Sequence, residues 1–154
     1  MPRTDTGSRL IRATPQAIYR ALLDPEAVAS WRPPAGMAAE IHHFEAREGG
    51  AFRMAFLYLD AADAEQGKTS GNADVFAGEF VELVANRKVV ERIVFESADP
   101  AFDAPLTVTT SLVPAAGGTE VSVTIDNVPD AIGLADHQAG IVSSLANLAA
   151  YLER

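Results

Sequence analysis

Cysteine is missing from the 154 residues, so disulfides and thiolate metal sites are excluded and the redox compartment is not legible. Long apolar runs are missing too: no stretch approaches the ~20 residues that cross a bilayer. There is no basic excess. Lys and Arg number 12 against 21 Asp and Glu, a formal charge of −9. That balance argues against nucleic acid or a membrane surface as the main partner, since both need basic patches. The opening MPRTDTGSRL has no apolar core, so no signal peptide is read, and a cytoplasmic location is the default. Catalytic signatures are also wanting. No phosphate-cradling glycine loop, Gly-x-Ser-x-Gly or His-Glu-x-x-His occurs. No cofactor is called for, and no metal site.

What is present is a single domain's worth of chain with 48% hydrophobic residues, enough to bury a core. Its organising stretch is the last, Asp130 to Arg154. Leu134, Gln138, Ile141, Leu145, Leu148 and Leu152 recur at steps of four and three, the spacing of one helical face. Asp130 stands where an N-cap is expected. The stripe covers about five turns, roughly 30 Å. From Ile141 onward it is aliphatic. Before Ile141 the same side carries His137 and Gln138, while Gly133 and Gly140 add no bulk. Such a helix packs tightly at its C-terminal end and leaves a cavity under its first turns.

The rest reads as one strand, two short helices and a run of strands. Residues 1–7 are read as a flexible N-terminus and Arg9–Ala13 as the first strand. Thr14-Pro15 and Asp24-Pro25-Glu26 are two helix-start signals, a cap followed by proline. They open helices over about 15–23 and from Pro25 to Trp31. Arg32–Ala39, with Pro33-Pro34 and Gly36, is a loop. Strands are expected over Glu40–Ala46, Ala51–Leu59, Asp74–Val84 (with a bulge at Gly78), Lys88–Glu96, Leu106–Leu112 and Thr119–Ile125. Asp60–Asn72 is small, polar and acidic, and reads as a mobile hairpin loop. Clean alternation means one buried and one wet face, as in an antiparallel sheet. The long helix is the element able to cover the buried face.

Five segments, in this order, resemble a known superfamily. IRATPQAIYRALLDPEAVASW looks like its opening strand, paired helices and tryptophan, here Trp31. EAREGGAFRMAF looks like its double-glycine turn and next strand. GEFVELVANRKVVERIVFE looks like its central hairpin, VTTSLVPAAGGTEVSVTI like its last hairpin, and DHQAGIVSSLANLAAYLE like its closing helix. The superfamily is the START-like or SRPBCC group with its α+β helix-grip fold, and the branch is the one named after the activator of the heat-shock-protein-90 ATPase. The resemblance implies a curved antiparallel sheet wrapped around a long C-terminal helix, with a cavity between them for a hydrophobic ligand. It does not fix a reaction, since fold analogy alone does not decide function. Many relatives carry tryptophan where this chain has Ile141.

The candidate ligand-binding residues are Trp31, Phe52, Met54, Phe56, Tyr58, Phe76, Glu79, His137, Gln138 and Ile141. Phe52, Met54, Phe56 and Tyr58 share one strand face, and Trp31 sits at a loop boundary. His137 is either a polar group at the cavity mouth or a surface histidine beside Asp136. Gln138 competes for the same inward direction, and helical phase does not separate them. Glu79 shares parity with Val81 and Leu83, so if those two are core it points inward. A bulge at Gly78 would turn it out to solvent. His42 and His43, adjacent on a strand, point to opposite faces and do not chelate one ion together; one is expected solvated and one packed. The expected partner is a small hydrophobic or amphipathic molecule, and a homodimer is compatible with the sequence. Two other readings stay open. One is a cyclase or dehydratase using His137 or Glu79 as acid or base. The other is a protein-interaction module.

Overall fold

The computed structural model describes residues 2–59 and 73–153. The hairpin loop expected at Asp60–Asn72 lies outside the described residues. Among those described, the order is β1 (Arg3–Ile11), α1 (Pro15–Leu23), α2 (Pro25–Trp31), β2 (Met37–Phe44), β3 (Ala51–Tyr58), β4 (Ala73–Val84), β5 (Lys88–Phe95), a 3-10 turn at Pro100–Phe102, β6 (Leu106–Ala115), β7 (Gly118–Val128) and α3 (Leu134–Glu153). Seven of these strands make one antiparallel sheet in the order β1-β7-β6-β5-β4-β3-β2. The architecture is the expected curved α+β sheet with a C-terminal helix across its inner face.

The helix starts follow local chemistry. Thr14 Oγ1 accepts from Ala17 N at 3.1 Å, and Asp24 Oδ1 from Glu26 N at 3.0 Å, each with proline in the first turn. Both side chains satisfy a backbone N–H that the helix itself leaves without a partner. Asp24 also ends α1, so the two short helices share one residue as stop and start. Trp31 closes α2, buried, with its indole N–H on the Ala21 carbonyl at 3.0 Å.

Several details differ from expectation. β2 begins at Met37, inside the segment read as a loop, because Met37 pairs with Tyr58 of β3, and β6 and β7 run on to Ala115 and Val128. The first strand begins at Arg3, so the residues read as a flexible N-terminus are instead paired with β7 from Val128 back to Val123. Their polar composition gives no local strand signal; tertiary pairing overrides propensity. α3 begins at Leu134, not at an Asp130 cap. A turn precedes it, closed by Ile132 N on the Pro129 carbonyl at 3.0 Å, and this turn buries Ile132. Leu134, assigned to the buried stripe, is exposed, whereas Ile141, Leu145 and Leu148 are buried as expected. A further difference lies in β4. Gly78 keeps regular pairing with Phe52 and Ile93, and the irregularity falls between Phe80 and Glu82.

α3 lies along β1 on one side and beside α2 on the other. Contact with β1 requires Gly7. A Cβ there would stand 2.6 Å from Ile141 Cγ2, closer than any real contact, and 3.7 Å from Leu145 Cδ1. On the other side the Pro33-Pro34 segment, which has no N–H to offer, is bound through its carbonyls and by a neighbouring amide. Ser144 Oγ donates to Arg32 O at 2.7 Å, Asn147 Nδ2 donates to Pro33 O at 2.9 Å, and Ala35 N donates to Ser143 Oγ at 2.8 Å.

Gly7→Ala is therefore expected to destabilise by about 1–3 kcal/mol, the usual range for overpacking. In an Ile141→Ala background the added methyl should cost much less, because Cγ2 is gone. Urea denaturation of the four proteins of this cycle checks it. Equal costs in both backgrounds would mean that Gly7 is not needed for the helix's approach.

Candidate functional site

Between α3 and the concave face of the sheet lies a cavity of about 850 Å³. Its sheet wall comes from the inward positions of β3 to β7. Phe56, Phe76, Phe95 and Phe102 form a connected aromatic row along it. Successive centroids are 5.0, 6.0 and 6.0 Å apart and all three pairs meet edge to face, as ring quadrupoles favour. Trp31, with Leu22 of α1, lines the end nearest the short helices. The roof is the N-terminal half of α3 with Gly133 just before it; Gly133, Ala139 and Gly140 leave room and Ile141 and Leu145 are apolar. Gly140 is open: a Cβ there would find Pro34 Cγ at 3.9 Å, an ordinary contact.

Polar groups enter this apolar space at two places. Glu91 follows Val89 and precedes Ile93 on the inner face of β5, and it is 4% exposed. Arg32 meets it, with Nη1 2.8 Å from Oε2, and its guanidinium lies 5.9 Å from the Phe76 ring centroid. Burying either charge alone is costly, and pairing offsets that. Asp74, also buried, and Thr110 line the same wall.

The second place is where β1 meets α3. His137 lines the cavity, and its Nδ1 stands 2.6 Å from Asp5 Oδ2. Arg3 Nε donates to Asp5 Oδ1 at 2.8 Å, and Arg3 Nη2 donates to the Ile132 carbonyl at 2.5 Å. Asp5 is 1% exposed. Burial pushes its carboxyl up, but the hydrogen bonds from Arg3 and His137, with their charges, outweigh that and hold it below the usual carboxylate value.

Of the sequence candidates, Trp31, Phe56, Tyr58, Phe76, His137 and Ile141 line the cavity. Phe52 and Met54 share the face of Phe56 but are fully packed in the core, Phe52 against Phe44 and Phe80. Glu79 is exposed on the outer face, 3.9 Å from Arg92. The irregularity after Phe80 explains the error. It puts Phe80 and Leu83 on one face three residues apart, so counting back by twos from Leu83 gives the wrong side. Val81, the other residue used for that parity, is 50% exposed. Between His137 and Gln138, the cavity wall takes His137. His42 and His43 are both exposed, beside Arg53 and Glu45, because β2 is irregular between Ile41 and His43. Among the described residues no cluster of three or more His, Asp or Glu fits a metal ion, and no helix is long and apolar enough to cross a membrane.

Sequence reasoning missed Asp5, Arg32, Asp74, Glu91, Phe95 and Phe102. Glu91 was findable, because the alternation Val89, Glu91, Ile93 puts a carboxylate on an apolar face. Asp5 had no local signal.

A sheet curved around one long helix, with two short helices after the first strand and a cavity between, defines a START-like helix-grip protein. The chain belongs to the "Activator of Hsp90 ATPase homolog 1-like protein" family, whose model matches residues 12–153. A crystal structure of a Chromobacterium violaceum protein is similar over 99% of both chains, with 33% identity and a TM-score of 0.85. The solution structure of an AHSA1-like protein from Aeromonas hydrophila is similar over 98% of this chain and 92% of its own, at 20% identity and TM-score 0.72. DynU16, from the dynemicin biosynthetic locus, shares the fold over 97% of this chain and 47% of its own, at 22% identity and TM-score 0.68. Among curated proteins none matches.

The Asp5 environment has a pH consequence. A carboxyl held low when folded contributes stability that is complete above its unfolded value of about 3.8 and is lost as pH falls through the lower folded value. Asp5→Asn should lower stability at neutral pH and flatten the decline below about pH 4. Urea midpoints measured across pH for both proteins check this, and parallel acid limbs would contradict it.

Proposed function

We propose that this protein binds a small hydrophobic or amphipathic molecule between the sheet and α3. The observation that carries the reading is the cavity itself. Its 850 Å³ falls within the ~300–1,000 Å³ of small-molecule sites. Its wall is an aromatic row with a few placed polar groups, which is the composition such sites have. The rings supply apolar contact area. Arg32–Glu91 on one side and His137 on the other give a ligand two polar positions to align against.

The closed row of rings also favours this reading over a protein-interaction module. Such a module needs its apolar surface on the outside, as a contiguous exposed patch. Here the large aromatic side chains face inward.

Nile red, a neutral apolar dye, is expected to bind native protein at one site with micromolar affinity, about −8 kcal/mol. Gly140→Trp should abolish that binding with the fold intact. The new side chain starts beside Pro34, in open space, and replacing a helical glycine favours the helix. Fluorescence titration with circular dichroism as the folding control reads both. Equal binding to the variant would move the site elsewhere. Failure of the parent to bind would sink the ligand reading.

A further inference from the structure

The cavity's most organised polar group has more structure behind it than binding requires. His137 is on the first turn of α3, with its ring in the cavity wall and 20% of its side chain exposed. Its Nδ1 is held by Asp5 Oδ2 at 2.6 Å, and Asp5 Oδ1 is held by Arg3 Nε at 2.8 Å. Arg3 is itself anchored on the Ile132 carbonyl, in the turn that leads into α3. An ionised carboxylate has no proton to donate. The proton between Asp5 and His137 therefore belongs to Nδ1, and the neutral ring carries its lone pair on Nε2. Nε2 has no hydrogen-bond partner among the described residues. A carboxylate behind an imidazole fixes its tautomer and orientation, and stabilises the imidazolium that forms when the other nitrogen takes a proton.

We propose that His137 is a catalytic base, taking a proton from carbon in the molecule held in the cavity, with Asp5 as its positioning residue. The inference rests on the cavity reading above. The substrate class is an apolar molecule with a C–H bond acidified by a neighbouring carbonyl or imine and a leaving group one atom further on. Nε2 takes the proton. The C–H electron pair forms a new π bond, and the leaving group departs with its own pair. The imidazolium then returns its proton to the leaving group or to water. The balance needs no oxidant and no cofactor. Other titratable groups surround the ring. Asp5 and Arg3 stand on β1 and Asp136 beside it on α3. Tyr58, Asp74, Asp99 and the paired Arg32 and Glu91 line the rest of the cavity.

Nitrobenzisoxazole is a suitable probe, being flat, apolar and opened by one base. Nε2 would take its ring C–H proton, the C–H pair would become part of the nitrile, and the N–O bond would break to a coloured cyanonitrophenolate. The full chain should turn it over faster than free imidazole does. His137→Ala and His137→Gln should each lower kcat/KM by about 10²- to 10⁴-fold, the usual worth of a positioned base. Both should keep the parent's circular dichroism, and the glutamine keeps a donor for Asp5. Asp5→Asn should lower kcat with KM nearly unchanged, because an amide no longer fixes the proton on Nδ1. A merely structural role for Asp5 would leave kcat of the folded protein in place. Nile red binding with turnover no different between parent and His137 variants overturns the catalytic inference alone. No Nile red binding in the parent overturns the cavity reading and this inference with it.

Discussion

The close approach of α3 to β1 sets the rest of the molecule. It depends on Gly7, which leaves the strand without a side chain where Ile141 and Leu145 descend on it. Two periodicities match at this contact. Two residues of strand advance about 6.8 Å and four residues of helix about 6 Å. Asp5 therefore meets His137, and Gly7 meets Ile141. Further on, Arg12 N reaches Glu153 Oε2 at 3.0 Å, so helix and strand run in the same direction. The helix is held down at one edge of a curved sheet, and α2 holds its other side. Under it the sheet bends away, and the space that neither contact fills is the cavity.

The legible part of the fold was the part written locally. Thr14-Pro15 and Asp24-Pro25 cap helices by side-chain hydrogen bonds within three residues, so a reader of sequence sees both partners at once. The alternation of β6 and the buried face of α3 from Ile141 onward are equally local. β1 was legible only from Arg9 on, because the strand character of Arg3–Ser8 comes from β7, more than a hundred residues away. Within the site the same division holds. Trp31, Phe56, Phe76 and Ile141 followed from face and order. Glu79 failed on a single irregularity after Phe80, because a strand's faces exchange with every residue inserted. His137 and Gln138 were a coin toss by phase, decided by a carboxylate on the far end of the chain.

Two buried charge groups sit on opposite sides of an otherwise apolar space, and each is arranged differently. Arg32 and Glu91 face each other directly, with the guanidinium also near the Phe76 ring. Their charges cancel, and what they present is a fixed dipole. Asp5 lies behind His137 as seen from the cavity, with Arg3 behind it in turn. That chain presents an imidazole held in one orientation by a buried anion. Such groups are expensive to bury. They stand in a wall that aliphatic side chains would fill at lower cost.

The segment Arg32–Ala35 borders the cavity and is attached to α3 by Ser143, Ser144 and Asn147, through hydroxyl and amide hydrogen bonds. Lifting it exchanges those bonds for bonds to water, each worth only about 0.5–1.5 kcal/mol net. Pro33 is buried beneath these bonds, so lifting the segment also wets apolar surface and carries the heat-capacity change that marks hydrophobic unmasking. The border of the cavity and the aromatic wall inside it thus share one thermal signature, since both are held in part by the hydrophobic effect, which weakens on cooling.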